Sequence, residues 1–343
     1  MERNNLRIIF MGTPDFAVES LRRLVEDGCQ VVAVVTMPDK PVGRHHEVLQ
    51  QSPVKQYALS QNIPVLQPER LKDEAFISEL RSYEADLQVV VAFRMLPEVV
   101  WAMPRLGTFN LHAALLPQYR GAAPINWAII NGETETGITT FFLDHDIDTG
   151  QVIYRQSVPI HYEDDAEAVH DRLMLLGADL VLRTVHDVEE GRVRPIPQSQ
   201  LQVDGPLRPA PKIFKETCQI RWDQLTAREV YNFVRGLSPY PAAWTTLDGV
   251  QLKIYKCQES KVEGPRSKVQ GPRSKVQSSN RPIVQSSNCP MSAGSIETDG
   301  KTYLRIACRE GYVDILSLQL AGKRRMSIED FLRGAHISAE CVV

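Results

Sequence analysis

The front of the chain alternates apolar runs with helical stretches. Residues 6–10 form an apolar run of strand length and are followed by Thr13 and Pro14. Thr13 suits a helix N-cap and Pro14 a first helical position, so a helix is predicted from here to Gly28. Its apolar residues repeat at helical spacing and predict a buried stripe: Phe16, Leu21, Leu24 and Val25.

Further apolar runs continue this series along the first half of the chain. They comprise residues 31–36, 86–93, 108–111 and 137–143. The first two are apolar almost throughout, which is typical of strands buried on both faces. Strands that alternate with helices predict a parallel α/β sheet.

Polar and glycine residues follow several of these runs. In parallel α/β sheets the functional residues gather at the carboxyl ends of the strands. Gly12, Phe93 and the segments 110–112 and 144–148 all follow or end a predicted strand. The pattern therefore predicts a single site at one edge of the sheet.

The second half has a different organisation. A predicted helix over 166–191 is followed by a segment rich in proline, which contains Pro195, Pro197, Pro206, Pro209 and Pro211. Prolines at this density predict an extended linker. Beyond it lie short β-prone runs at 253–257, 294–296, 302–308 and 312–320, with a helix near 227–237. We predict an α/β domain over 1–190, a linker over 191–208 and a small all-β barrel over 209–343.

A tandem repeat interrupts the predicted barrel. GPRSKVQ occupies residues 264–270 and recurs unchanged at 271–277, and VQSSNRP at 276–282 recurs as VQSSNCP at 284–290. The repeat has no apolar periodicity and is rich in Pro, Ser and Gln. It predicts a flexible surface loop over 264–290.

Charge is divided unequally between the two halves. The net charge is −3, but residues 205–343 hold 21 Lys and Arg against 13 Asp and Glu, whereas residues 1–204 hold 18 against 29. A basic C-terminal part indicates a polyanionic partner, although a solubility bias explains the balance equally well.

Composition excludes several classes of protein. No apolar run approaches the ~20 residues of a membrane-spanning helix, and the N-terminus has no signal-peptide pattern. The six cysteines are scattered without a C-x-x-C pair. We therefore expect a cytoplasmic protein with reduced thiols and without a metal site.

The segment 108–124 carries most of the candidate chemistry. Asn110 and His112 are one residue apart at the end of a strand, so their side chains point to the same side. An amide beside an imidazole suits a carbonyl that becomes an oxyanion. The sequence DHDIDTG then supplies Asp144, Asp146 and Asp148, and a carboxylate near His112 would orient its ring. Together they predict an acyl-transfer site, although each alone is more often a structural or turn residue.

At this point a resemblance becomes specific. GTPDFA (12–17), FNLHAALLPQYRGAAPI (109–125), ETGITTFFLDHDIDTG (135–150), GLSPYPAAWT (236–245) and LSLQLAGKRRMS (316–327) resemble stretches of the formyltransferases that use 10-formyltetrahydrofolate, in the same order. The resemblance implies a Rossmann-like N-terminal domain with a mostly parallel sheet, a linker, and a C-terminal barrel similar to an OB fold. It covers nearly the whole chain.

The resemblance also implies residue roles and a reaction. Asn110, His112 and Asp148 fall on the catalytic trio of the family. The implied folate-binding residues are Ala114, Leu115, Leu116, Pro117, Phe93 and Asp144, and the implied tRNA-binding residues are Arg44 and Lys212. The implied reaction moves the formyl group of the co-substrate 10-formyltetrahydrofolate to the amino group of methionyl-initiator tRNA, without a metal, a membrane or a stable protein partner.

The chain departs from the family pattern at three places. Ala114 stands where the family has serine, His45-His46-Glu47 follows Arg44 in place of a basic cluster, and Phe93-Arg94 replaces tyrosine-glycine. The closest alternatives on the same fold are a glycinamide ribonucleotide formyltransferase, a formyltetrahydrofolate hydrolase and a sugar-nucleotide formyltransferase. A dinucleotide-binding protein and a non-catalytic RNA-binding module are further alternatives. The dinucleotide-binding alternative is disfavoured because Gly12 belongs to no G-x-G-x-x-G motif.

Overall fold

The computed structural model describes residues 6–42, 48–203, 205–260, 292–334, 337 and 342. The predicted repeat loop at 264–290 and Arg44 lie outside these residues. The chain divides into two compact units. The first comprises Met1–Ile129 and Glu133–Ile213, and the second Ile130–Gly132 and Phe214–Val343.

The first unit is built from strands and helices in alternation. Its strands are β1 (Arg7–Gly12), β2 (Gln30–Val35), β3 (Lys40–Val42), β4 (Val48–Gln50), β5 (Val65–Leu66), β6 (Leu87–Val91), β7 (Thr108–His112), β8 (Glu135–Phe142) and β9 (Val152–Pro159). Its helices are α1 (Asp15–Glu26), α2 (Pro53–Ser60), α3 (Glu74–Ser82), α4 (Glu98–Trp101), α5 (Pro124–Ile130) and α6 (Ala166–Glu189), and a 3-10 turn follows at Gln198–Gln200.

Seven of these strands form one sheet in the order β5-β2-β1-β6-β7-β8-β9. The pairs from β5 to β7 are parallel, whereas β8 runs antiparallel to both β7 and β9. The mostly parallel α/β sheet predicted from the sequence is confirmed. Its antiparallel end was not predicted, and it changes how the loop over residues 144–150 (the aspartate loop) reaches the site.

The core of this unit lies on both faces of the sheet. Along β1, Ile8 and Phe10 belong to one buried cluster and Ile9 and Met11 to another, because successive side chains of a strand point to opposite faces. Helices α1 and α6 cover the first face, and α3 and α4 the second. This burial explains why the strand sequences are apolar throughout.

The turn from β1 to α1 differs in detail from the prediction. The helix begins at Asp15, and Pro14 is its N-cap without a side-chain hydrogen bond. The predicted N-cap, Thr13, is wrong: it lies two residues before the helix, and its buried hydroxyl has no hydrogen-bond partner. Gly12 is required here, since a Cβ on it would lie 2.6 Å from the Ala17 Cβ and 2.9 Å from the Val91 carbonyl oxygen.

In its described residues, the second unit is an antiparallel sheet with two α-helices. Its strands are β10 (Ala243–Leu247), β11 (Val250–Glu259), β12 (Ile296–Thr298), β13 (Leu304–Ala307), β14 (Tyr312–Leu320) and β15 (Met326–Ser327). Its helices are α7 (Ala227–Leu237) and α8 (Ile328–Gly334). The strand order is β10-β11-β14-β13-β12, with β15 paired to β14. This agrees with the predicted OB-like unit, although α8 was not predicted.

Candidate active site

A cavity of about 680 Å³ opens at the carboxyl ends of β1, β6 and β7. Most of the residues that line it fall into three groups. The first is Pro14 and Phe16 after β1, and the second is residues 92–96 after β6. The third is residues 110–113 at the end of β7 together with the loops 121–126 and 143–148. Its volume is in the range of pockets that enclose small-molecule ligands. The cavity lies at the sheet edge where the sequence predicts the site.

Asn110 and His112 enter the cavity from the same strand. They flank Leu111 on β7, and both line the cavity, as the alternation of strand side chains requires. The Asn110 Oδ1 atom is buried and has no hydrogen-bond partner. An unpaired buried amide is costly, and such groups persist mainly where a ligand or a reaction uses them.

The His112 ring is oriented by a main-chain carbonyl. Its Nε2 atom lies 2.8 Å from the Tyr119 carbonyl oxygen, and its Nδ1 atom lies 3.7 Å from Asp148 Oδ2. A carbonyl oxygen only accepts, so Nε2 carries the proton. The Nδ1 atom then holds the free lone pair, and it faces Asp148. The carboxylate predicted near His112 is Asp148, at ion-pair rather than hydrogen-bond distance, and its role in orienting the ring stays a prediction.

Asp148 is held in place by hydrogen bonds to the neighbouring main chain. Its Oδ2 atom accepts from the Gly121 N–H at 2.9 Å. Its carbonyl and that of Gly150 accept from the Gln198 amide at 2.8 and 2.9 Å, and the Gln198 Oε1 atom accepts from the Arg120 guanidinium. Gln198 is 5% exposed. The loop is thus fixed by a buried glutamine from the proline-rich segment, which sequence reasoning missed.

The aspartate loop does not reach the cavity by the route predicted. Because β8 is antiparallel to β7, its last residue, Phe142, pairs with Phe109 near the start of β7. The carboxyl end of β8 is therefore at the opposite edge from that of β7. The loop returns toward His112 and is closed by its own hydrogen bonds, such as that from Thr149 Oγ1 to Asp144 Oδ1 at 2.6 Å.

Three of the seven described non-glycine residues with positive φ lie at or next to this cavity. Ala92, Tyr119 and Asp148 have φ angles of +48°, +57° and +57°. Non-glycine residues with positive φ are uncommon and tend to occur at functional sites. Here Ala92 and Asp148 line the cavity, and Tyr119 supplies the carbonyl that orients His112.

One wall of the cavity is apolar and includes Phe93, Met95, Leu96 and Trp101. Arg94 stabilises this wall: its guanidinium lies 5.7 Å from the Phe93 ring centroid and donates to the Glu69 carbonyl at 2.9 Å and to the Pro68 carbonyl. Burial lowers the pKa of the Arg94 guanidinium. The flat apolar wall opposite a polar cluster suits an aromatic heterocycle.

The predicted folate-binding residues fall into two groups. Phe93 and Asp144 line the cavity, whereas Ala114, Leu115, Leu116 and Pro117 do not. Ala114 and Leu116 are fully buried, and the Ala114 carbonyl accepts from Thr139 Oγ1 at 2.6 Å. The segment 114–117 thus follows β7 and lies outside the cavity lining, and its contact with folate stays a prediction. Lys212 is exposed on the surface of the first unit.

These features define a class of protein. An α/β unit places an amide, an imidazole and a carboxylate around a cavity with an apolar wall. These are the groups that an acyl-group transferase uses. Residues 6–185 match the family "Formyl transferase", and residues 212–336 match "Formyl transferase, C-terminal domain". The chain belongs to the formyl transferase family, as the sequence analysis predicted.

Individual relatives agree with this assignment. A methionyl-tRNA formyltransferase from Bacteroides thetaiotaomicron is 56% identical, with 98% of each chain covered. HypX from Aquifex aeolicus, in complex with tetrahydrofolic acid, is 17% identical with a TM-score of 0.58, over 97% of this chain and 48% of HypX. The sugar 3N-formyl transferase WlaRD, crystallised with dTDP and 5-N-formyl-THF, is 17% identical with a TM-score of 0.60, over 94% of this chain and 100% of WlaRD. The two structures support the fold alone.

Among the described residues, no helix has both the length and the apolar character needed to cross a membrane.

Proposed function

We propose that this protein transfers the formyl group of 10-formyltetrahydrofolate to the amino group of methionyl-initiator tRNA. The observation that carries the proposal is the 56% identity, along essentially the full length of both chains, to a methionyl-tRNA formyltransferase. We place this reaction in the cytoplasm, as expected from the sequence. The geometry of the cavity supports the chemistry in three respects.

The first respect is the fit to the co-substrate. When bound, 10-formyltetrahydrofolate supplies a formyl group on a nitrogen that departs. The apolar wall with Phe93 and Trp101 offers surface for a flat pterin ring, and Asp144 offers a carboxylate to ring N–H donors.

The second respect is stabilisation of charge. As an amine attacks the formyl carbon, negative charge develops on the formyl oxygen. The Asn110 amide lacks a partner for its buried Oδ1 and can present its N–H group to that oxygen. Because Asn110 is held on β7, this donor would need little reorganisation as the charge forms.

The third respect is movement of the proton. We assign His112 Nδ1 as the base that takes a proton from the attacking amine and returns it to the departing folate nitrogen. Asp148 Oδ2, 3.7 Å from Nδ1, stabilises the imidazolium in between. The free α-amino group titrates near pH ~7.7–8.0, so a modest base is sufficient. The amine thus loses one proton and the folate nitrogen gains one.

Binding of tRNA is assigned to the basic part of the chain. Residues 205–343 hold 21 Lys and Arg against 13 Asp and Glu, and tRNA is a polyanion. Lys212 and Arg44 are the residues proposed from the family resemblance, Arg44 lying outside the described residues. We expect the affinity for tRNA to fall steeply with salt.

A panel of acceptors tests this function. The full-length protein is incubated with 10-formyltetrahydrofolate and, in separate reactions, methionyl-initiator tRNA, a dTDP-linked amino sugar, glycinamide ribonucleotide, or no acceptor. We expect formyl transfer to the charged tRNA only. Transfer to one of the small amines, or hydrolysis without an acceptor at a comparable rate, would instead assign another activity of the same family.

A further inference from the structure

A second cavity, of about 230 Å³, lies at the amino-terminal edge of the sheet. It is lined by the start of β1 and of β2 and by the carboxyl ends of α1 and α6. The active-site cavity opens at the other end of β1. The lining residues used below are Asp27, Cys29, His186, Glu189 and Glu190. None of them belongs to the proposed reaction.

Three different metal-binding groups meet in this cavity. The His186 Nε2 atom lies 2.9 Å from Asp27 Oδ2, and these atoms and the Cys29 Sγ atom all lie within 4.8 Å of one another. All three residues are partly exposed, so an ion has access from solvent. We propose that Asp27, Cys29 and His186 form a binding site for Zn²⁺.

The ligand set favours zinc over other divalent ions. Imidazole nitrogen, thiolate sulfur and carboxylate oxygen are the three protein ligands of Zn²⁺, whereas Mg²⁺ and Ca²⁺ select oxygen. With Zn–ligand bonds of ~2.0–2.3 Å, tetrahedral ligand atoms lie roughly 3.3–3.7 Å apart. The Asp27–His186 pair must open by a few tenths of an ångström from its 2.9 Å.

The surroundings of the cavity are arranged for a cation. Asp27 is the C-cap of α1, and His186 is in the last turn of α6. The carboxyl end of a helix carries partial negative charge, so both helices favour a positive ion between them. Glu190 is paired with Arg192, while Glu189, three residues after His186, lies on the same side of α6 and also lines the cavity. Glu189 or water completes the tetrahedron.

No metal site was predicted from the sequence because these ligands do not have the spacing of a metal-binding motif. Asp27 and Cys29 are separated from His186 by more than 150 residues. Packing of α1 on α6, which also forms the Arg23–Asp179 ion pair at 2.8 Å, brings them together. A bound Zn²⁺ would crosslink the ends of the two helices and stabilise the α/β unit.

Metal titration of the tag-free, full-length protein tests the proposal. After removal of metal with a chelator, ZnCl₂ is titrated by calorimetry without folate or tRNA. We expect one equivalent to bind, and affinity to fall by about tenfold or more in Cys29→Ser and in His186→Gln. Matched controls are Cys218→Ala in the second unit and the exposed His161→Gln, which should bind Zn²⁺ as the wild type does.

A spectroscopic readout guards against variants that fail to fold. Co²⁺ bound to wild-type protein should show a thiolate-to-cobalt charge-transfer band that Cys29→Ser lacks. Stoichiometric binding that persists in both Cys29→Ser and His186→Gln would overturn the proposal. So would the absence of one-to-one Zn²⁺ binding, or of a thiolate band in the wild type. In each of these cases Asp27 and His186 form an ordinary ion pair. Formyl transfer is measured separately and does not decide the outcome.

Discussion

At the scale of single residues, the candidate site depends on main-chain atoms as much as on side chains. His112 is oriented by the Tyr119 carbonyl, and Asp148 accepts from the Gly121 N–H. Tyr119 has a φ of +57°, which turns the chain so that both contacts form within one loop. A substitution in this loop that changes the backbone should therefore act on His112 and Asp148 together.

The buried position of Ala114 gives a prediction for the Ala114→Ser variant, which restores the hydroxyl of the family pattern. Because Ala114 does not line the cavity, we expect the KM for 10-formyltetrahydrofolate to stay unchanged. A hydroxyl at this fully buried position costs about 1–3 kcal/mol of stability unless it finds a hydrogen-bond partner. Steady-state kinetics and thermal unfolding measure both effects. A several-fold fall in KM would instead place this side chain at the folate.

Whether a site residue could be predicted from the sequence depends on how that residue acts. Asn110 and His112 alternate along a strand, so their placement at one cavity followed from local periodicity. Tyr119 and Gln198 act through contacts that form only after folding, and one of these spans 50 residues. No residue type or spacing marks such contacts. The resemblance alone suggested residues 114–117, and the structure places them outside the cavity lining.

At the scale of elements, the loop after β8 is clamped by the 3-10 turn Gln198–Gln200. Gln198 bonds two carbonyls of the loop and also the Arg120 guanidinium, so one side chain connects both loops that flank His112. A segment that resembles a linker in sequence therefore contributes to the geometry of the site.

The Gln198→Leu variant tests this clamp. It keeps a similar volume but removes every one of these hydrogen bonds. We expect kcat to fall by about 10–100-fold, because small displacements of a catalytic group have effects of this size. The control is Gln200→Leu, two residues on and exposed, which should retain wild-type kcat. Equal activity of the two variants would show that the aspartate loop does not need Gln198.

The predicted elements differ in accuracy for physical reasons. Helix α7 has the predicted bounds and strand β14 the predicted ends, since a capping box at Thr226 and Glu229 and an alternating pattern of apolar residues define them locally. Strands β9 and β10 were missed. Both are edge strands, for which a single neighbour supplies the pairing. Pairing of this kind is not encoded in local sequence.

At the scale of the whole molecule, charge and the proline-rich segment at the end of the first unit matter most. Arg208 and Ala210 lie in the proline-rich segment and bond the main chain of the site loop: Tyr119 N donates to the Arg208 carbonyl at 2.7 Å, and Ala210 N to the Arg120 carbonyl at 2.8 Å. The first unit extends to Ile213. A truncation that is meant to spare it should therefore end after Ile213.

The turn between β14 and β15 gives a prediction for tRNA binding. Lys323 and Arg324 are exposed there, in a stretch that resembles the family. We expect the Lys323→Ala/Arg324→Ala double variant to bind methionyl-initiator tRNA more weakly and to reduce the slope of log K against log salt by up to about 2, roughly one per lost phosphate contact. The KM for folate should not change. Lys72→Ala, an exposed lysine of the first unit, is the matched control. An unchanged salt slope would exclude this turn from the tRNA surface.

The most direct test of the proposed chemistry is the rate constant for formyl-methionyl-tRNA formation in a single turnover, compared between wild type and Asn110→Ala. Loss of one oxyanion donor lowers such rates by ~10²–10³. We expect that decrease for Asn110→Ala, with thermal unfolding and folate binding close to those of the wild type, because the Asn110 Oδ1 atom makes no hydrogen bond within the protein. Formylation by Asn110→Ala at nearly the wild-type rate would contradict the assignment of this cavity as the site of formyl transfer.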